Sequence, residues 1–234
     1  MFEREHHRNV ALVLQALDPL VLASWQCWFG GGTAMALRYG EYRESADIDF
    51  MVSDPTGYRE LRQALGGAHG FAPLLREGLA LTLARDVVTD QYGIRTQVRA
   101  GQSIIKFEIV REARISLAPP GADDAVCGIG TLTPLDLAAG KLLANADRWA
   151  IDAVFSRDLI DLAMQRESVG LLRQACAKAE GAYGAAVRES LAKAVQSLRQ
   201  RPHRLAECMA ALGMQGVSAA QLWQSIRRIE KSLA

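Results

Sequence analysis

Up to about residue 130 the apolar positions come in short runs with a period near two, each closed by glycine or proline. Beyond it they recur every three to four residues in a background of alanine and leucine. The first pattern predicts strands over residues 24–29, 48–52, 79–85, 96–99 and 103–110, with helices over 33–39 and 58–65 between them. The second predicts helices over 134–143, 153–165, 171–178, 185–198 and 219–233. The change falls at Pro119-Pro120-Gly121 and Gly128-Ile129-Gly130, which interrupt regular structure. The expectation is an α+β chain in two parts: an α/β domain over 1–130 and a helical bundle domain over 131–234.

Composition narrows the class without naming a function. With 234 residues, 50% of them hydrophobic and 23% charged, the chain can bury one large core or two small ones, which excludes a disordered tail protein. The formal charge of +1 gives no overall field toward nucleic acid or an anionic surface. That total is a cancellation, because residues 1–130 carry 13 basic and 16 acidic side chains while 131–234 carry 14 and 10. Of the 27 basic residues 22 are arginine, which suits phosphate contacts and equally suits a genome of biased base composition. The four cysteines lie far apart with no CxxC pair, so they read as reduced packing residues. The most apolar stretch, 10–29, is broken by Gln15, Asp18, Pro19 and Gln26, and the mixed charges of the first eight residues do not form a signal peptide. No membrane association and a cytoplasmic location are expected.

Local chemistry concentrates in residues 29–52. Gly30-Gly31-Gly32-Thr33 follows a predicted strand and opens a predicted helix with Thr33 as its N-cap, leaving bare amides where an anion can bind; a tight strand-to-helix turn is the other reading. Fifteen residues on, Asp47-Ile48-Asp49-Phe50 puts two carboxylates at i and i+2, roughly 6–7 Å apart on one strand face. Aspartate is depleted in strands, and a hard divalent cation is one physical reason to hold two there; a solvated edge strand is the other. A two-metal transfer site wants a third acid from a neighbouring strand. Glu108, between Phe107 and Ile109, is the candidate, although Lys106 shares its face and a plain Lys-Glu pair would look the same. In the helical part, Lys141 and Arg148 share one helix face and Asp158 and Asp161 another, which fits either ordinary pairing or a lysine serving triphosphate charge.

Gly31-Gly32-Thr33-Ala34, then Arg43-x-Ser45-x-Asp47-Ile48-Asp49-Phe50, then Lys141 with Arg148, Arg157-Asp158 and Asp161, resemble the AbiEii/AbiGii family of nucleotidyltransferase toxins, over most of residues 25–165. That resemblance implies a DNA polymerase β-like nucleotidyltransferase mixed sheet followed by a helical C-terminal domain. It implies an enzyme that moves a nucleoside monophosphate from an NTP to an acceptor hydroxyl, RNA or tRNA being the expected acceptor, as the toxin of a toxin–antitoxin pair with a cognate antitoxin protein. Gly31, Gly32 and Thr33 are then placed with the nucleotide phosphates, Arg43 and Ser45 in the motif leading to the carboxylates, and Asp47 and Asp49 as Mg²⁺ ligands. Lys141 and Asp158 fall on the second motif, and Glu108 is the expected third catalytic acid and metal ligand. The alternatives are transfer to a protein or a small molecule such as an aminoglycoside, and a nucleotide-binding regulatory subunit without turnover. Arg199, Arg201 and Arg204 supply the basic surface expected to face RNA, though exposed arginines of a soluble helix read the same way.

Overall fold

The computed structural model describes residues 2–231. Those residues have an α+β architecture that divides into two compact units, one up to residue 38 and then 45–133, the other of 39–44 and from 134 on.

The first unit begins with α1 (Glu5–Ala16), whose Val10, Val13 and Leu14 fall on one buried face. Next comes α2 (Pro19–Ser24), started by Asp18, whose side chain accepts from the Leu20 and Val21 N–H groups ahead of a proline at the first turn. These two helices were not anticipated. The strand expected over 24–29 shrinks to β1 (Trp28–Gly30), because the Asp18-Pro19 start signal claims the residues before it and Gln26 turns into the left-handed region, φ 51°. α3 (Gly31–Arg38) follows β1 without a loop. Then come β2 (Ile48–Val52), α4 (Pro55–Leu65), β3 (Thr82–Thr89), β4 (Gly93–Ala100) and β5 (Ser103–Arg111). A two-residue ladder of β6 (Ala125–Val126) and β7 (Ile129–Gly130) closes the unit.

The sheet order is β1-β2-β5-β4-β3, with β2 and β5 parallel and the other neighbours antiparallel. One face carries the aromatic core: Phe29 lies 5.5 Å from Phe50, Phe50 5.4 Å from Phe107, and Phe107 4.9 Å from Phe71, centroid to centroid. Each buried phenylalanine contributes about 1.5–3 kcal/mol by removing apolar area from water. A one-residue slip of β2 would exchange that gain for a buried Asp49. The register Ile48↔Phe107, Asp49↔Glu108, Phe50↔Ile109 therefore fixes both acids on the face away from the core.

The second unit holds α5 (Pro134–Arg148), α6 (Arg157–Gln165), α7 (Val169–Tyr183), α8 (Ala186–Gln200), α9 (Arg204–Ala211) and α10 (Ala219–Glu230). The helix expected to begin at 153 begins at Arg157, because Phe155 and Ser156 both take left-handed backbone, φ 53° and 50°. α10 opens on a reciprocal capping box between Ser218 and Gln221. Among the described residues no helix is long and apolar enough to cross a membrane.

Candidate active site

In the first unit the glycine turn is built against a carboxylate. Gly30 pairs with Asp49 across the antiparallel β1/β2 ladder, and the chain then turns into α3 through Gly31 at φ +70°. A Cβ on Gly31 would lie 2.5 Å from Asp49 Oδ2 and 2.9 Å from Asp49 Cβ, so the position excludes every side chain twice, by backbone and by space. Gly32 and Thr33 belong to the first turn of α3. Thr33 is thus inside the helix and not its N-cap, since β1 runs straight into α3 with no residue left over for a cap. Its buried hydroxyl lies 2.8 Å from Ser45 Oγ.

The loop that delivers Asp47 is fastened from the other side by α1. The Ser45 N–H donates to His7 Nε2 at 3.3 Å, and the His6 Nε2 is 3.3 Å from the Ala46 carbonyl oxygen. His7 is fully buried. The sequence reading gave these histidines no role, yet the signal was there: His7, Val10 and Leu14 share a helical face with the core.

Asp47 is exposed, one residue ahead of β2, while Asp49 is half-buried within it. Glu108 is the neighbour of Asp49 on β5. Both of its oxygens are engaged, Oε1 by Arg95 Nε at 2.7 Å and Oε2 by Lys106 Nζ at 2.8 Å. Burial pushes the Glu108 carboxyl up, but Lys106 and then Arg95 bring it below the usual carboxylate range. The Lys106 ammonium is held charged chiefly by its hydrogen bond to Glu108, with the fields of Asp49 and Asp47 adding to it. Arg95, which sequence reading passed over, also bridges to Asp90 at 2.8 Å. Among the described residues no three of His, Cys, Asp and Glu converge closely enough to hold a metal ion together. The donor chemistry of Asp47 and Asp49 suits a hard divalent cation, and the Lys106 ammonium marks where positive charge collects beside them.

In the second unit, charge is buried. Asp161 receives the Tyr42 hydroxyl at 2.7 Å, Arg43 through Nε at 2.6 Å and Nη2 at 2.9 Å, and Lys141 Nζ at 2.6 Å. Asp158 receives Lys141 at 3.2 Å and Arg148 in a bidentate pair at 2.7 and 2.9 Å. Lys141 is 7% exposed, Arg43 4% and Asp161 0%. Burial works to raise the Asp161 and Asp158 carboxyls, and the surrounding cations, Lys141 first, hold both below the usual range. Lys141 and Arg148 do pair with the two aspartates, and they do so inside the unit, where each contact is stronger than in water. Arg148 at the edge of the cluster also feels the charge of Asp147. Of the arginines expected to face RNA, Arg199 bonds Glu230 at 2.8 Å, and Arg201 and Arg204 approach Asp152 at 2.7 and 3.5 Å.

Comparison with known proteins identifies a family and solved structures of similar fold. The family model described as the nucleotidyl transferase AbiEii toxin of type IV toxin–antitoxin systems matches residues 13–228. A solved H. pylori structure assigned as a nucleotidyltransferase shares 16% identity over 99% of this chain and 97% of its own, with a TM-score of 0.50. JHP933 from Helicobacter pylori, also 16% identical, matches over 100% and 95% with a TM-score of 0.49. No protein of curated function matches the chain.

Proposed function

The chain belongs to the AbiEii nucleotidyl transferase toxin family, and on that premise we propose that it transfers a nucleoside monophosphate from an NTP to a hydroxyl of RNA, tRNA being the preferred acceptor. The observation that carries this reading is the apposition of Gly31 and Asp49: the glycine turn that opens α3 lies directly against the half-buried aspartate of the Asp-x-Asp strand. Gly31, Gly32 and Thr33 would receive the phosphates at the start of α3, where amide N–H groups and the helix dipole favour anions. Arg43, anchored on Asp161, and Ser45, anchored on His7, set the course of the chain into Asp47.

Asp47 and Asp49 would hold Mg²⁺, which when bound supplies charge for the phosphates. The acceptor hydroxyl attacks the α-phosphorus in line, the new P–O bond forms as the α–β bridge breaks, pyrophosphate leaves, and the hydroxyl proton passes to water. Family membership makes Lys141, held within its own unit by Asp158 and Asp161, the proposed cation for the phosphate charge. Membership of a toxin family supports a protein antitoxin as partner and action in the cytoplasm.

The test is incubation of the purified protein with each α-labelled NTP and Mg²⁺ in the presence of total tRNA, total protein or an aminoglycoside mixture. Label in tRNA that disappears with Asp49→Ala is the expected result. Label only in protein or in the small molecules would replace the acceptor, and no transfer from any NTP would remove the enzymatic reading.

A further inference from the structure

Three carboxylates lie on or beside the same sheet face, and each has a different standing. Asp47 is exposed, Asp49 is half-buried, and Glu108 has both oxygens occupied by cations carried on the neighbouring positions of its own sheet. Arg95 reaches Glu108 from the register partner position on β4. Lys106 reaches it from two residues earlier on β5, and its ammonium also feels Asp49 and Asp47. Register places this lysine where it must meet the acids: Phe107 pairs with Ile48, so the residues before them, Lys106 and Asp47, come level at the end of the ladder.

Arg95 and Lys106 between them take both oxygens of Glu108, and Arg95 also takes Asp90, so of these acids Glu108 and Asp90 already have protein cations. A second ion would compete with Lys106 for the Glu108 oxygen, and Lys106 is covalently tethered at high effective concentration.

We propose that Lys106, seated on Glu108, takes the place of a second divalent ion on this face, so that the face loads a single ion at Asp47 and Asp49. This rests on the nucleotidyl-transfer reading above. Glu108 then serves to anchor a protein cation and is not itself a metal ligand. Half of the Lys106 side chain remains exposed, which leaves its ammonium accessible to an incoming phosphate while it holds the acid.

The experiment counts Mn²⁺ on the full chain with a non-hydrolysable NTP analogue, by the loss of free Mn²⁺ signal in electron paramagnetic resonance, with nucleotide-only controls. Wild type should load one ion per chain with no Mn–Mn coupling. Lys106→Met should load two, coupled as ions about 3.5–4 Å apart are, and Lys106→Arg should return the count to one. Glu108→Gln should keep one ion at wild-type affinity. Two coupled ions on wild type, one ion on Lys106→Met, or loss of the ion on Glu108→Gln would each overturn the proposal. Two ions on wild type would leave nucleotidyl transfer standing, whereas no nucleotide-dependent Mn²⁺ on wild type would bring down both readings.

Discussion

Asp49 and Asp161 are both aspartates with cations nearby, and they do opposite things with them. Asp49 stands on the open face of a sheet, against a glycine that has no side chain to cover it. Asp161 is enclosed, with a tyrosine, an arginine and a lysine on its two oxygens. In the first unit the aromatic core is on the other side of the sheet, which leaves Asp47 exposed and Asp49 half-buried, within reach of a ligand from the solvent side. In the second unit the charges are part of the interior, so each one costs several kcal/mol of desolvation and repays it only with its partners in place. Placement relative to the core, more than residue type, separates an acid available for chemistry from an acid that holds structure.

That contrast can be broken by substitution. The largest effect is expected for Asp49→Ala, with transfer activity lower by about three orders of magnitude, corresponding to several kcal/mol of transition-state stabilisation, and thermal stability close to wild type. A melting temperature that fell along with activity would put Asp49 in the same class as Asp161. Asp161→Asn should do the reverse in emphasis and destabilise by about 3–5 kcal/mol, since it strands Arg43 and Lys141 without a counter-charge; urea unfolding measures this.

The same pair has a pH signature. Asp158 and Asp161 titrate below their unfolded value of about 3.9, so their stabilisation is present above that pH and is lost as pH falls through the folded values. Acid unfolding followed by circular dichroism should therefore steepen below about pH 4 in wild type and be flatter in Asp161→Asn. Gly31→Ala should cost more than about 2 kcal/mol, combining a left-handed backbone with a Cβ on top of Asp49. A neutral result in calorimetry would mean that the turn and the carboxylate are not in contact. The smallest change is Tyr42→Phe, which removes one of the hydrogen bonds to Asp161 and should lower stability by about 1 kcal/mol.

Much of the site was legible because it is local. Gly31 through Thr33 and Asp47 through Asp49 are short motifs on adjacent elements, and β2 occupies 48–52 as its alternation implies. Less legible were the supports. His7 lies 38 residues from Ser45 and Arg95 13 from Glu108, and neither pairing leaves a trace in spacing. α1 and α2 are less legible because their apolar positions form one broken run over 10–29, with the Asp18-Pro19 start signal inside it. Lys141 and Asp158 stayed ambiguous for a similar reason. Helical spacing gives a face, and a face does not say whether it meets water or protein.

The sequence by itself determined the two kinds of folding pattern, the glycine turn, the order of the acids and the family, because these depend on neighbours along the chain and on short-range sterics. Tertiary structure alone decided that Glu108 is spoken for by Arg95 and Lys106, that His7 fastens the loop ahead of Asp47, and that Asp161 gathers Tyr42, Arg43 and Lys141 from segments about 120 and 20 residues away. The physical reason is that a charge's role follows from its dielectric surroundings and its partners, and both are fixed only when distant segments pack.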